Sequence, residues 1–153
     1  MPEARLTRAW ARAGVAGGFL ACASYPALIA LSMPLQLTIA IAAIFAMGLA
    51  AGTLGLYHVL SLRRRTASLQ MGVVLNVIAS AVVLAMFVVQ LSVRTAMSDV
   101  LASSDTQAMG DTYTPVWTVI DHVQLGLDVV WDIFISVGTV LIAANMYGHP
   151  RFG

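Results

Sequence analysis

Four long apolar runs, separated by polar segments, set the pattern of the chain. A helix of about 20 apolar residues crosses the roughly 30 Å hydrocarbon core of a bilayer, and each run is long enough to do so. The pattern therefore predicts an all-α integral membrane four-helix bundle, formed by a single domain over residues 1–153. The predicted transmembrane helices cover residues 14–31, 35–60, 69–93 and 116–146.

The connections between the runs differ in length. Residues 32–34 leave only a very short turn, which predicts a tight helical hairpin of the first two helices. Residues 94–115 form the one long polar segment and are expected to be a loop. Pro26 interrupts the first run, and Pro115 suits the first turn of the fourth helix, where its missing N–H is not needed.

The first run has a second interpretation. A basic start followed by the Ala21–Ser24 segment resembles the cleavage site of a secretory signal peptide. The apolar run continues to Leu31, which favours an uncleaved first span.

Small residues at a spacing of four mark where helices can touch. Such pairs let two backbones approach closely in lipid, where the hydrophobic effect does not drive helix association. Packing within the chain and assembly into a homo-oligomer both fit this pattern. The pairs are Gly14 with Gly18, Gly48 with Gly52, and Ala51 with Gly55.

Arginine placement predicts the orientation in the membrane. Under four spans, seven of the eight arginines fall on one side and only Arg94 on the other. Positively charged residues favour the cytoplasmic side, so both termini are expected there, with the 94–115 loop outside. The expected location is a bacterial inner membrane. The seven are Arg5, Arg8, Arg12, Arg63, Arg64, Arg65 and Arg151.

Composition supports the membrane assignment and excludes several classes of protein. The chain is 59% hydrophobic and 10% charged, whereas soluble domains are about 25% charged. A net charge of +1 gives no indication of nucleic-acid binding. The single cysteine, Cys22, excludes an internal disulfide and a CxxC redox pair.

The fourth run carries an unusual row of acids. At 100° per residue, Asp121, Asp128 and Asp132 fall within about 40° of one another, and Thr139 lies on the same line. We call these four residues the acidic stripe. Asp128 and Asp132 are expected inside the bilayer, where an Asp at the centre of a helix costs about 2.5–3.5 kcal/mol on insertion scales. Gln124 flanks the stripe, and His122 is expected with Asp121 at the membrane surface.

Candidate partners of the acidic stripe lie in the third run. Gln90 and Arg94 are expected at a depth similar to that of Asp121, and a salt bridge from Arg94 would explain the one arginine on that side. Further along, Gly72, Asn76 and Ser80 form a polar row that can hydrogen-bond across helices.

Two interpretations of the acidic stripe remain open. In one it is structural and faces the interior of the bundle. In the other it lines a polar cavity that binds a proton, a cation or a basic ligand, because acids inside a membrane are candidate functional residues.

Enzymatic chemistry has no positive support in the sequence. No nucleophile–histidine motif, zinc-protease motif or phosphate-binding loop occurs, and His58 and His122 are expected on opposite sides of the membrane. We therefore expect neither a catalytic residue, a metal site nor a cofactor, and the lipid bilayer as the main partner.

The chain from about residue 45 onward resembles a group of bacterial multi-pass membrane proteins known as domains of unknown function. The resemblance rests on Tyr57-His58, the arginine run that follows it, the Asn76 span ending at Gln90, Trp131-Asp132 and residues 149–153. It covers about residues 45–153 and carries no catalytic signature. It implies a polytopic fold in which further spans usually follow the last segment.

The function expected from the sequence is an interaction or structural role in the membrane, with the chain assembling with itself or with a membrane partner. The alternative is a small proton- or cation-coupled transport or sensing protein that uses the acidic stripe.

Overall fold

A computed structural model describes residues 2–103, 110–147 and 149, with side chains described for residues 5–99, 118–147 and 149. The described residues are almost entirely helical, and four helices are long and apolar enough to cross a membrane. The prediction of an all-α bundle with four such helices is confirmed. The helices are α1 (Pro2–Ala30), α2 (Leu35–Ser61), α3 (Ala67–Ser103) and α4 (Gly110–Met146).

The helices follow one another in an up-and-down order. α1 packs on α2, α2 on α3 and α3 on α4, so that two antiparallel hairpins meet through α2 and α3. We call the end of the bundle that holds the α2–α3 turn the arginine-rich end, because Arg63, Arg64 and Arg65 lie in or beside that turn. The end that holds the α1–α2 turn is the distal end.

Glycines form the seam between α1 and α2. A Cβ added to Gly14 would lie 2.7 Å from the Cα of Gly55, and one added to Gly17 would lie 2.8 Å from the carbonyl oxygen of Gly48. Gly18 has no neighbour within 4 Å of its added Cβ. The prediction that these helices pack through small residues is confirmed, and Gly17, which the spacing of four from Gly14 did not select, makes the closer approach to α2.

The backbones of α3 and α4 approach each other equally closely at one point, where Gly72 faces Gly138. A Cβ added to Gly72 would lie 2.8 Å from the carbonyl oxygen of Gly138, and the Asn76 side chain lies directly against Gly138. The Ser80 hydroxyl donates to the Asn76 carbonyl oxygen at 2.8 Å, within α3. The expected hydrogen bonds across helices from Asn76 and Ser80 are therefore not formed among the described residues, since Asn76 Oδ1 has no partner there.

Apolar side chains from all four helices fill the space between the hairpins. Ala21, Phe45, Val83 and Met86 form a buried cluster, and Trp131 of α4 packs against it. A second cluster of Leu60, Leu69, Val73 and Ile142 lies nearer the arginine-rich end. Trp131 thus lies against the interior of the bundle.

The helices extend further than the hydropathy pattern indicated. α3 continues to Ser103 and α4 already begins at Gly110, so much of the segment expected as the 94–115 loop is helical. No Pro or Gly occurs between residues 94 and 103, and the Thr95 hydroxyl donates to the Leu91 carbonyl oxygen within the helix. Pro115 accordingly lies in the second turn of α4 rather than in the first.

α1 also runs without interruption through Pro26. Beside it, the Ser24 hydroxyl donates to the Leu20 carbonyl oxygen at 2.6 Å. Membrane helices tolerate proline because neighbouring polar groups compensate the lost backbone hydrogen bond. The expected interruption at this position is therefore not observed.

Candidate functional site

α4 is the most peripheral helix of the bundle. Only 11% of its most apolar stretch is buried in the chain, against 39% for α3. The face that packs carries Leu127, Trp131 and Gly138, whereas Val129 and Val140 are exposed on the other side. α4 therefore has a narrow packed face and a wide face that a bilayer or another protein must cover.

The acidic stripe runs along the edge of that packed face. Asp121 and Asp132 are exposed, and Asp128 is partly buried. At 100° per residue the stripe lies about 60–100° away from Trp131. The three acids are thus neither inside the bundle, as the structural interpretation required, nor at the centre of the exposed face.

Four residues singled out from the sequence meet in one cavity at the distal end. Gln90 and Arg94 of α3 face Asp121 and Gln124 of α4 across a space of about 290 Å³, which we call the distal cavity. All four helices contribute to its walls. The apolar and hydroxyl lining comes from Leu28, Thr38, Phe87, Leu91, Val93 and Ile120.

The salt bridge expected from Arg94 is not formed with any described carboxylate. The Arg94 side chain is exposed, and no described carboxylate oxygen lies within 4.0 Å of its guanidinium nitrogens. One positive charge, one negative charge and two amides therefore share the wall of the distal cavity without a direct contact between the charges. Such a wall suits a polar solute or ordered water.

Asp128 and Asp132 lie below the distal cavity. Two and then three helical turns separate them from Asp121, about 10 and 16 Å along the axis at 1.5 Å per residue. Neither residue lines the distal cavity, so the structure brings only Asp121 of the three acids together with Gln90 and Arg94. His122 points elsewhere, with its exposed ring Nδ1 2.7 Å from the carbonyl oxygen of Thr118.

An open groove separates α4 from the first hairpin between Trp131 and the arginine-rich end of the bundle. Its walls are mostly apolar and come from Gly18, Ala21 and Cys22 of α1, part of α2, and the end of α4. Thr139, the last residue of the acidic stripe, lines it together with Asn76. We call this space, of about 310 Å³, the lateral groove.

The distal cavity and the lateral groove lie at the two ends of the acidic stripe. Asp121 lines the distal cavity and Thr139 lines the lateral groove, while Asp128 and Asp132 lie between them on the same side of α4. The acids therefore follow the opening between α4 and the first hairpin.

Two contacts at the arginine-rich end were not foreseen. The Trp10 and His58 rings stack at 4.8 Å between centroids, which ties the start of α1 to the end of α2. Asn145 receives a hydrogen bond of 2.6 Å from the Thr66 hydroxyl and donates to Ser68 at 3.1 Å. A signal existed for the second contact, since Asn145 is a lone amide near the end of a long apolar run.

The chain was compared with protein families, curated proteins and solved structures, and none of them matches. Its resemblance to bacterial multi-pass proteins consequently stays an expectation from the sequence.

Proposed function

We propose that this chain is a non-enzymatic membrane subunit that acts by assembly and that the acidic stripe is where another transmembrane helix docks. The observation that carries the proposal is the exposure of Asp132. Asp132 lies about 20 Å along α4 from Asn145, so at the depth of the hydrocarbon core of a bilayer.

Contact with lipid is energetically unfavourable for the Asp132 side chain. An Asp at the centre of a membrane helix costs about 2.5–3.5 kcal/mol on insertion scales, and polar residues in membrane helices almost always face protein or water. A neighbouring helix that supplies a cation or a hydrogen-bond donor would remove most of that cost. The exposed edge of α4 leaves room for such a helix beside the acids.

The chemistry of the chain favours a different protein over a second copy. The chain has no lysine, and none of its arginines lies between residues 95 and 150. A second copy would therefore place acid against acid at the level of Asp128 and Asp132. We infer that the partner carries Arg or Lys near the middle of a membrane span.

A defined helix tests this proposal directly. A model transmembrane peptide of Leu and Ala with one central Arg would carry an acceptor dye, and the purified chain would carry a donor dye at its N-terminus. In liposomes we expect saturable energy transfer with the Arg peptide and only random-proximity transfer with a peptide that has Leu in its place. Asp132→Asn should weaken the association about 5- to 10-fold, in line with the roughly 1–2 kcal/mol of polar contacts between membrane helices.

Asp121→Asn is the matched control, because it removes the same charge from the distal end of the stripe, about 16 Å along α4 from Asp132. Equal binding of the Leu and Arg peptides, or equal weakening by both substitutions, would contradict docking of the central Arg at the depth of Asp132. Self-association of the chain that persists without any peptide would point to a second copy instead.

One observation favours a second candidate function, proton- or cation-coupled transport or sensing. The acids begin at the distal cavity, which is open to solvent, and continue from there into the depth of the bilayer. A transporter would lose acid-driven ion flux in liposomes on Asp128→Asn while remaining folded by circular dichroism. An assembly subunit would show no flux above that of empty liposomes.

We propose, from the distribution of arginines, that the arginine-rich end faces the cytoplasm of a bacterial cell and the distal cavity faces outward. A phosphatase fused after residue 105 should then be active and one fused after residue 153 inactive. The opposite pattern would reverse the orientation.

A further inference from the structure

A pocket of about 220 Å³ lies at the arginine-rich end, between the α2–α3 turn and the end of α4. The acidic stripe lies elsewhere on α4, and none of its residues lines this pocket. Arg63 and Arg64 contribute from the turn, and Asn145, Tyr147 and His149 from α4 and the segment after it. Leu60 and Ala144 complete the lining.

The pocket is built for a negative charge. Two arginines line it, and no acid occurs among the described residues that line it. His149 is only 8% exposed, and its backbone N–H donates to the Met146 carbonyl oxygen at 3.0 Å, so a turn after α4 holds His149 beside the pocket. Guanidinium groups bind phosphate with strong, charge-assisted hydrogen bonds.

The hydrogen bonds around Asn145 hold this pocket in shape. The Asn145 amide nitrogen donates to the Leu141 carbonyl oxygen at 2.7 Å and to Ser68, and its oxygen accepts from Thr66. The start of α3 is thus fixed to the end of α4. The turn that carries Arg63 and Arg64 is anchored on its α3 side by these contacts.

The depth of the pocket indicates which phosphate it would meet. Leu60 is the penultimate residue of the α2 span, and Asn145 is the penultimate residue of the α4 span. The pocket therefore lies where apolar helix ends and the lipid headgroups begin. Tyr147, 94% exposed beside it, is a residue type enriched at that level of a membrane.

We propose that this pocket binds the headgroup phosphate of an anionic phospholipid. Arg63 and Arg64 contact the phosphate, and the acyl chains lie along the apolar surfaces of α2 and α4 next to the pocket. Basic pockets between membrane helices recognise lipid headgroups in this way.

Short-chain lipids of equal length test the proposal on the unaltered protein. Phosphatidylglycerol, phosphatidylcholine and inorganic phosphate would each be titrated into the purified chain in a neutral detergent, with bound lipid counted by native mass spectrometry and the Tm followed. We expect one retained phosphatidylglycerol per chain and a rise in Tm that phosphatidylcholine does not give. Equal retention of the two lipids would overturn the proposal, as would displacement of phosphatidylglycerol by millimolar phosphate, which would indicate a soluble anion.

A pair of double variants separates the pocket from the general positive charge of this end. Arg63→Gln with Arg64→Gln should weaken phosphatidylglycerol binding roughly 30-fold, since each arginine near an anionic headgroup contributes about a fivefold effect. Arg5→Gln with Arg8→Gln removes the same charge from exposed positions of α1 and should change binding less than threefold. Equal weakening by the two pairs would show diffuse attraction and would refute a specific pocket.

Discussion

Gly55 has a larger effect on the architecture than its size suggests. Its own added Cβ would fall on the Cα of Gly14 and lie 2.8 Å from the carbonyl oxygen of Trp10. Backbone cannot move aside as a flexible side chain can, so this contact fixes how closely α1 and α2 approach. The stacking of Trp10 on His58 depends on the same approach, because it lies one turn further along the two helices.

Gly55→Ala should therefore lower the free energy of unfolding by about 1–3 kcal/mol, the usual effect of overpacking a close contact. Gly18→Ala is the control, because its added Cβ meets nothing within 4 Å, and alanine is also the better helix former. Unfolding of both variants in mixed micelles would be followed by circular dichroism. Equal stability of the two variants would mean that Gly55 does not set the spacing of α1 and α2.

At the scale of the helices, the sequence predicted which residues share one face of a helix but not how that face is oriented in the bundle. The spacing of Asp121, Asp128 and Asp132 placed them correctly on one side of α4. Their position at the edge of the packed face depends on how Gly138 lies against Gly72 and Asn76, which is a property of two helices together. The same limit explains why Gly17 was not predicted as the closer contact of α1 with α2, since the spacing of four from Gly14 selects Gly18.

Element boundaries were harder to predict than element identity. The apolar pattern ends near residue 93, but α3 continues to Ser103, because hydropathy reports the solvent around a helix and not its hydrogen bonding. Thr95 and Ser98 satisfy their hydroxyls on carbonyl oxygens of the same helix, which costs the helix little. Polar composition alone therefore predicted a loop where the chain has helix.

The hydrogen bonds between the start of α3 and the end of α4 can be tested by substitutions on both sides of the contact. Asn145→Ala removes the hydrogen bonds to Thr66 and Ser68, and we expect a loss of about 0.6–1.7 kcal/mol in the free energy of unfolding. Thr66→Val added to that variant should have less effect than it has in the unaltered chain, since the two residues share one hydrogen bond. Additive effects in this double-mutant cycle would show that the two side chains are not coupled.

At the scale of the whole molecule, the bundle is closed on one side and open on the other. α2 and α3 join the two hairpins, while the lateral groove separates part of α1 from α4. The acids of α4 lie along this opening, and the sequence has no Arg or Lys between residues 95 and 150 at the level of Asp128 and Asp132. At the depth of Asp132 the bundle thus has an exposed polar edge, which is where the proposed partner helix would dock.

The labelling rate of Cys22 can show whether another protein covers the lateral groove. Cys22 is the single cysteine of the chain, it is exposed, and it lines the lateral groove within the α1 span. In dilute detergent we expect a lipid-soluble maleimide to label it at least tenfold faster than a charged, membrane-impermeant one, because bilayer-depth positions are shielded by detergent chains. In membranes that contain the partner, labelling by the lipid-soluble reagent should fall several-fold.

The matched variant for this measurement is Cys22→Ala with Met47→Cys, which moves the thiol to a residue of α2 that is 69% exposed and does not line the groove. Labelling at residue 47 should be the same in detergent and in membranes, since no docking helix is expected there. Equal labelling of Cys22 in native membranes and in detergent would show that the lateral groove faces lipid. A partner bound to α4 would then not extend as far as α1. If both positions are protected, the chain is covered on more than one side, as in a larger assembly than a single docked helix would form.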